Sequence, residues 1–201
     1  MLCPACAASL RPVPPPLCGR CGAPTAWPVS RCRECAGRRL AFASARAATL
    51  YAGPARHLVA AWKEHGLRPA GAVAAELVAT RVPPPAADAV THVPPDRVRQ
   101  LTRGRHPAEE LAERLAAIWQ LEHATLLERK RGSLRRQTSL SRAERGRNLR
   151  GAFTAASAPP RRVLLVDDVY TTGATASAAA SALRAAGAEL VHVVTFARTI
   201  R

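Results

Sequence analysis

The sequence predicts an α/β domain, with a mostly parallel central sheet and flanking helices, preceded by a small cysteine-rich module. Three observations carry this. Two wholly apolar runs, VLLVDD from Val163 and LVHVVTFA from Leu190, are separated by one helical segment, TGATASAAASALRAAGAE. Strands buried on both faces and joined through a helix read as a βαβ unit in a parallel sheet. All six cysteines fall between Cys3 and Cys35, in a stretch with no sustained periodicity. The chain has 201 residues, 48% hydrophobic and 22% charged, the composition of an ordinary folded protein with length for one domain and an appendage. The boundary is expected near residue 40, with residues 1–40 as the module and 41–201 as the domain.

The elements follow in order. ASARAATLYAG reads as a strand leading into a turn at Gly53 and Pro54, and HLVAAWKEHG as a short helix stopped by Gly66. Residues 70–80 predict another helix, ended by the run from Pro83 to Pro85, and Ala89 to Val93 a short apolar strand. PAEELAERLAAIWQL places Leu111, Leu115, Ile118 and Trp119 on one face, with Glu109, Glu110 and Glu113 in the first turn, where the helix dipole favours acids. The two apolar strands and their intervening small-residue helix complete the sheet. No run approaches the roughly 18 apolar residues of a membrane span. MLCPACAASLRP lacks the apolar core of a signal peptide. The expected location is therefore the cytoplasm, without membrane insertion.

The charge is unusual. The chain carries 30 Lys+Arg against 14 Asp+Glu, a net +16 at pH 7, which suggests a polyanionic partner because basic groups on phosphates release condensed counterions. Only Lys63 and Lys130 are lysines, and an arginine excess beside abundant Ala and Pro also follows from G+C-rich coding. Distribution separates the two readings. Nine basic residues and one acid, Glu144, lie between Arg129 and Arg150, so half of the net charge sits in about a tenth of the chain. That stretch has no aromatic residue for base stacking. It suits gripping phosphates, through residues such as Arg131, Arg135, Arg136 and Arg145, without reading bases.

The cysteines are spaced Cys3-x2-Cys6, Cys18-x2-Cys21 and Cys32-x2-Cys35, with eleven and then ten residues between the pairs. Three disulfides or a redox dithiol are alternatives, but paired CxxC knuckles present thiolates as a tetrahedral zinc ion needs them. Cys18, Cys21, Cys32 and Cys35 are the expected ligands, with Gly22 and Gly37 easing the turns. Cys3 and Cys6 form a half-site, either lacking an upstream knuckle or vestigial.

The segment VLLVDDVYTTGAT, Val163 to Thr175, is the most specific. An apolar strand delivers Asp167 and Asp168 to its end, and Thr171, Thr172, Gly173, Ala174 and Thr175 open a helix. Amides at a helix start carry partial positive charge, Gly173 permits close approach, and threonine hydroxyls add donors, which together make a phosphate site. Two neighbouring acids accept hydrogen bonds from vicinal sugar hydroxyls and suit a hydrated Mg²⁺. Phosphate plus diol means a ribose 5-phosphate. Neither GxxxxGK[ST] nor GxGxxG is present. A plain surface turn is the bland alternative.

VLLVDDVYTTGAT resembles the 5-phosphoribosyl 1-pyrophosphate motif of type I phosphoribosyltransferases. The cysteine knuckles together with RKRGSLRRQTSLSRAERGRNLRGAF, residues 129–153, resemble the ComF family of competence proteins. Gln137, Leu140, Ser141, Glu144, Arg145, Asn148 and Phe153 fall on that family's QxxLSxxERxxNxxxAF pattern. The resemblance implies a type I phosphoribosyltransferase fold behind a zinc ribbon. It also implies ribose contacts from Asp167 and Asp168, and 5-phosphate contacts from Thr171 to Thr175. Pro94, Pro95, Asp96 and Arg97 become the loop beside pyrophosphate, and the basic segment lies at a mobile loop over the ligand. The family's RGFNQ is replaced here by Arg103, Gly104, Arg105, His106 and Pro107, and one knuckle of four is missing.

Two functions follow from these expectations. As an enzyme, the chain would displace pyrophosphate from an anomeric carbon, with Mg²⁺ and arginine offsetting the departing charge and no protein nucleophile. As a binding module it would serve uptake of single-stranded DNA in natural transformation alongside other competence proteins. No segment reads as a pocket for an acceptor base.

Overall fold

The computed structural model describes residues 4–65, 68–95, 106–130 and 151–200. Five strands form an all-parallel sheet: β1 (Ser44–Leu50), β2 (Ala89–His92), β3 (Glu122–His123), β6 (Arg162–Tyr170) and β7 (Leu190–Arg198), in the order β1-β7-β6-β2-β3. Strands β4 (Leu127–Arg129) and β5 (Phe153–Ala155) pair antiparallel beside it. The helices are α1 (Pro4–Ala8), α2 (Pro54–His65), α3 (Arg68–Arg81), α4 (Pro107–Trp119) and α5 (Ala174–Ala185). The predicted α/β class with helices on a parallel sheet is the observed one.

The faces of the sheet carry separate cores. On one, Val59 and Trp62 of α2, Val78 of α3, and Leu111 and Leu115 of α4 pack on Leu164, Val166, Val194 and Phe196. On the other, Ala176, Ala179, Ala180 and Leu183 of α5 pack on Val163, Leu165, Val191 and Val193, and Cys18, Cys21, Cys35 and Phe42 join that same cluster. The alanine stripe lets α5 lie close to the sheet. Each buried Leu or Val contributes about 1.5–3 kcal/mol, so both faces have real anchors.

Helix α4 departs from the expected face. Its buried stripe is Ala108, Leu111, Ala112, Leu115 and Ala116, and at 100° per residue Ile118 falls about 90° from the stripe's centre. Ile118 is 47% exposed, while Trp119 lies near the centre and is partly buried. Pro107 occupies N1, so the first turn holds Glu109 and Glu110, and Glu113 belongs to the second. Glu110 does more than face a dipole: buried, it accepts from Trp62 Nε1 at 2.9 Å and from Arg114 Nη2 at 2.9 Å. A Cβ at Gly71 would collide with its carboxylate, so a side chain there would have to displace Glu110 from Trp62 and Arg114.

Candidate functional site

Strand β6 connects through α5 to β7 on one side, while β2 connects through α4 to β3 on the other. The carboxyl ends of β6 and β2 therefore flank a topological switch point, where open parallel sheets place ligands. Asp167, Asp168 and Thr171 to Thr175 lie at the carboxyl end of β6, and Pro94 and Pro95 follow β2. Strand β6 runs on to Tyr170, two residues past the acids, so Asp167 and Asp168 lie within the strand. Alternation sends them to opposite faces. Asp167 lines a cleft with Thr171, Gly173, Thr175 and Thr195. Asp168, 6% exposed, turns to the α2 side and meets Lys63 Nζ at 2.6 Å.

The loop turns directly from β6 into α5. Gly173 has φ 73° and caps α5, a left-handed conformation that glycine adopts without penalty. Thr172 Oγ1 accepts from the Ala174 amide at 3.1 Å, and the Gly173 carbonyl accepts from Ser177 N at 2.9 Å. The remaining first-turn amides have no acceptor within the helix and face outward. Asp167 is pushed up to about 7, first by burial and then by the neighbouring charge of Asp168, with Lys63 and Arg129 pulling the other way.

Pro94 and Pro95 follow β2 and border the same edge, with Val93 N donating to Val166 O at 2.9 Å. Asp96 and Arg97 lie outside the described residues, as do Arg131, Arg135, Arg136 and Arg145. Of the basic block, Arg129 and Lys130 are described, and Arg129 stacks over Phe153 at 5.4 Å.

Sequence reasoning missed several groups here. Lys63 had one signal, its rarity as a lysine among arginines. His92 and His106 had none. His92 stacks on His123 with ring centres 5.9 Å apart. Burial pulls both His92 and His106 down to about 4, so both imidazoles are neutral near pH 7. Tyr170 and Arg198 were also unmarked, because an aromatic and an arginine at strand ends read as ordinary.

The cysteine cluster is a second centre. The sulfurs of Cys18, Cys21, Cys32 and Cys35 all lie within 4.8 Å of one another, with Cys18–Cys35 at 3.6 Å, Cys21–Cys32 at 3.4 Å and Cys32–Cys35 at 4.0 Å. A tetrahedron of Zn–S bonds near 2.3 Å has S–S edges of about 3.8 Å, so the four fit a structural zinc ion and none is bridged. Burial raises the Cys18 thiol, but the backbone amides of Cys21, Arg20 and Cys32 outweigh it and bring it down to about 6. Burial pushes Cys21 and Cys35 up. Four thiolates held this close, three of them buried, need a cation to coexist. Cys6 stands on α1, apart from this group, and Cys3 lies outside the described residues.

No protein-family profile matches the chain. It is similar to competence protein F of Haemophilus influenzae, 34% identical over 115 residues, or 55% of this chain and 50% of that protein. The chain thus spans about half the length of the curated relative it matches. Among solved structures it is similar to a glutamine phosphoribosylpyrophosphate amidotransferase from B. subtilis complexed with ADP and GMP, at TM-score 0.41 and 26% identity over 62% of this chain and 24% of that one. A second neighbour, an allosteric regulatory enzyme of purine biosynthesis, has TM-score 0.41 and 25% identity over the same shares, 62% and 24%.

Proposed function

We propose that this ComF-like chain, a relative of competence protein F, binds a phosphoribosyl ligand of the 5-phosphoribosyl 1-pyrophosphate type at the β6–β2 switch point and acts in DNA uptake. The observation that carries the binding half is the cleft that Asp167 shares with Thr171, Gly173 and Thr175. Loop amides take the 5-phosphate there and a carboxylate takes ribose hydroxyls. Asp167 is the carboxylate on that side available to a hydrated Mg²⁺, whose part would be to offset pyrophosphate charge. Asp168, already paired with Lys63, orders the α2 side of the same edge, and Pro94 to Arg97 border the pyrophosphate. Zinc on Cys18, Cys21, Cys32 and Cys35 holds a module spanning residues 1–40 ahead of a domain spanning 41–201.

Titration calorimetry with 5-phosphoribosyl 1-pyrophosphate, with and without Mg²⁺, tests the site. Saturable binding weakened about tenfold or more by Asp167→Asn is expected, and unchanged affinity in that variant overturns the assignment. The DNA half is supported by the name of the curated relative and by the charge between Arg129 and Arg150. Single-strand affinity should fall steeply with salt. Replacing Arg135 and Arg136 with Gln should reduce the log–log slope by about 1.4, since each phosphate contact on single strands contributes about 0.7. A salt-independent interaction points to a protein partner instead. Turnover is a separate question, answered by pyrophosphate release across a panel of nucleobases and amines. Any release makes the chain a phosphoribosyltransferase of nucleotide metabolism, the alternative to the DNA role.

A further inference from the structure

We propose that Arg198 and Tyr170 are positioning residues that couple the cysteine site to the Gly173 loop, so that metal occupancy and anion affinity rise and fall together. The anion half rests on the phosphoribosyl reading above. Arg198 ends β7 and is 1% exposed, and a guanidinium that cannot shed its proton must be paired when buried. Its acceptors lie in the cysteine module. Nη1 donates to the carbonyl of Cys21 at 2.6 Å, and Nη2 pairs with Glu34 Oε2 at 3.2 Å. One acceptor is a carbonyl of a cluster cysteine and the other sits next to Cys35, so Arg198 is satisfied only while both knuckles keep their shape. Its Nε has no partner and Arg198 has no reserve.

The other end of this contact is the loop. The Arg198 guanidinium lies over the Tyr170 ring at 5.3 Å, and Phe42 meets that ring edge-on at 6.3 Å. The Tyr170 hydroxyl is buried without a hydrogen-bond partner, and a Cβ at Gly173 would collide with it. Tyr170 is thus the wall against which the cap of α5 rests. The next residue along makes a second clip: Thr199 N donates to Tyr170 O at 3.0 Å and Thr199 Oγ1 to Thr171 O at 3.2 Å. If the knuckles open, Arg198 keeps a buried charge without acceptors and must move, taking the cover from Tyr170 and the clip from Thr171. Such coupling is reciprocal, and its usual size is about 5- to 150-fold in affinity.

The test uses the full chain loaded with Zn²⁺, hydrogen exchange at residues 171–176, and ribose 5-phosphate as the anion probe. Chelating the metal should speed exchange at 171–176 and weaken ribose 5-phosphate at least about fivefold, while Val163–Val166 in the middle of β6 stay protected. In Arg198→Met the loop should exchange fast with zinc bound, and chelation should add nothing there. Equal responses to chelation in both proteins overturn the coupling, as does an unchanged loop in the chelated parent. If chelation melts β6 as well, or Arg198→Met does not fold, the zinc-loaded Glu34→Gln variant decides. It should show faster exchange at 171–176 than the parent, and identical exchange overturns the proposal. If ribose 5-phosphate fails to bind at all, the phosphoribosyl reading falls while the exchange data still judge the coupling.

Discussion

The two faces of the central sheet are held by different means. On the α2–α4 face, large apolar side chains from three helices interlock with Leu164, Val166 and Phe196. On the other, one alanine-striped helix shares its cluster with Cys18, Cys21 and Cys35, three of the four cysteines whose sulfurs lie together. Asp168 faces the first arrangement and Asp167 the second, so the two acids of one dipeptide answer to different forces. Perturbing one face should leave a signature unlike that of the other.

The largest effect should come from the cysteine face. Cys35→Ser removes a ligand from a site type that contributes on the order of 10 kcal/mol to folding, and should lower the thermal midpoint by about 10 °C or more with loss of bound zinc. Calorimetry with metal analysis reads both, and a midpoint unchanged in a zinc-free variant breaks the comparison. Leu115→Ala on the opposite face leaves a cavity costing about 3 kcal/mol, equivalent to about 6–12 °C for a chain of this size. Zinc content there should stay at the parent level, and its loss would mean that the faces are one cooperative unit.

A pH effect comes third. The folded-state value of Asp167 is about 7 against an ordinary 3.8, so the protonated carboxyl is favoured on folding. That contribution is fully present below about 4 and disappears as pH rises through 7. Asp167→Asn should therefore raise the midpoint at pH 8 and leave it nearly unchanged at pH 4. Lys63→Met removes a cation that favours the charged form, so the decline should continue to higher pH. A flat Asn-minus-parent difference across this range would mean that Asp167 is not buried against its neighbour's charge as described. The smallest effect belongs to Arg161 and Glu189, paired at 2.7 Å with side chains 78% and 59% exposed. Solvent and salt screen such a pair, and Arg161→Ala should leave the midpoint within error.

Legibility followed the same division. Strands β6 and β7 and the helix between them were readable because a chain segment buried on both faces must be apolar throughout. The knuckles and the Gly173 loop were readable because CxxC pairs and a glycine turn at a helix start are written in local spacings. Ile118 was misplaced because periodicity marks a face without saying where the packing partner stops. Strands β3, β4 and β5, two or three residues each, carry too little pattern to declare themselves.

The amino-acid order by itself determined the layer class, the four clustered cysteines and the Gly173 turn into α5, since each depends on residues near one another along the chain. Only the tertiary structure decided which face each aspartate serves, that Lys63 meets Asp168, and that Arg198 spans from Cys21 to Tyr170. Those contacts join residues 105, 177 and 28 positions apart. No local pattern encodes such a pairing, because it arises where strand order and helix packing bring distant segments to one edge of the sheet.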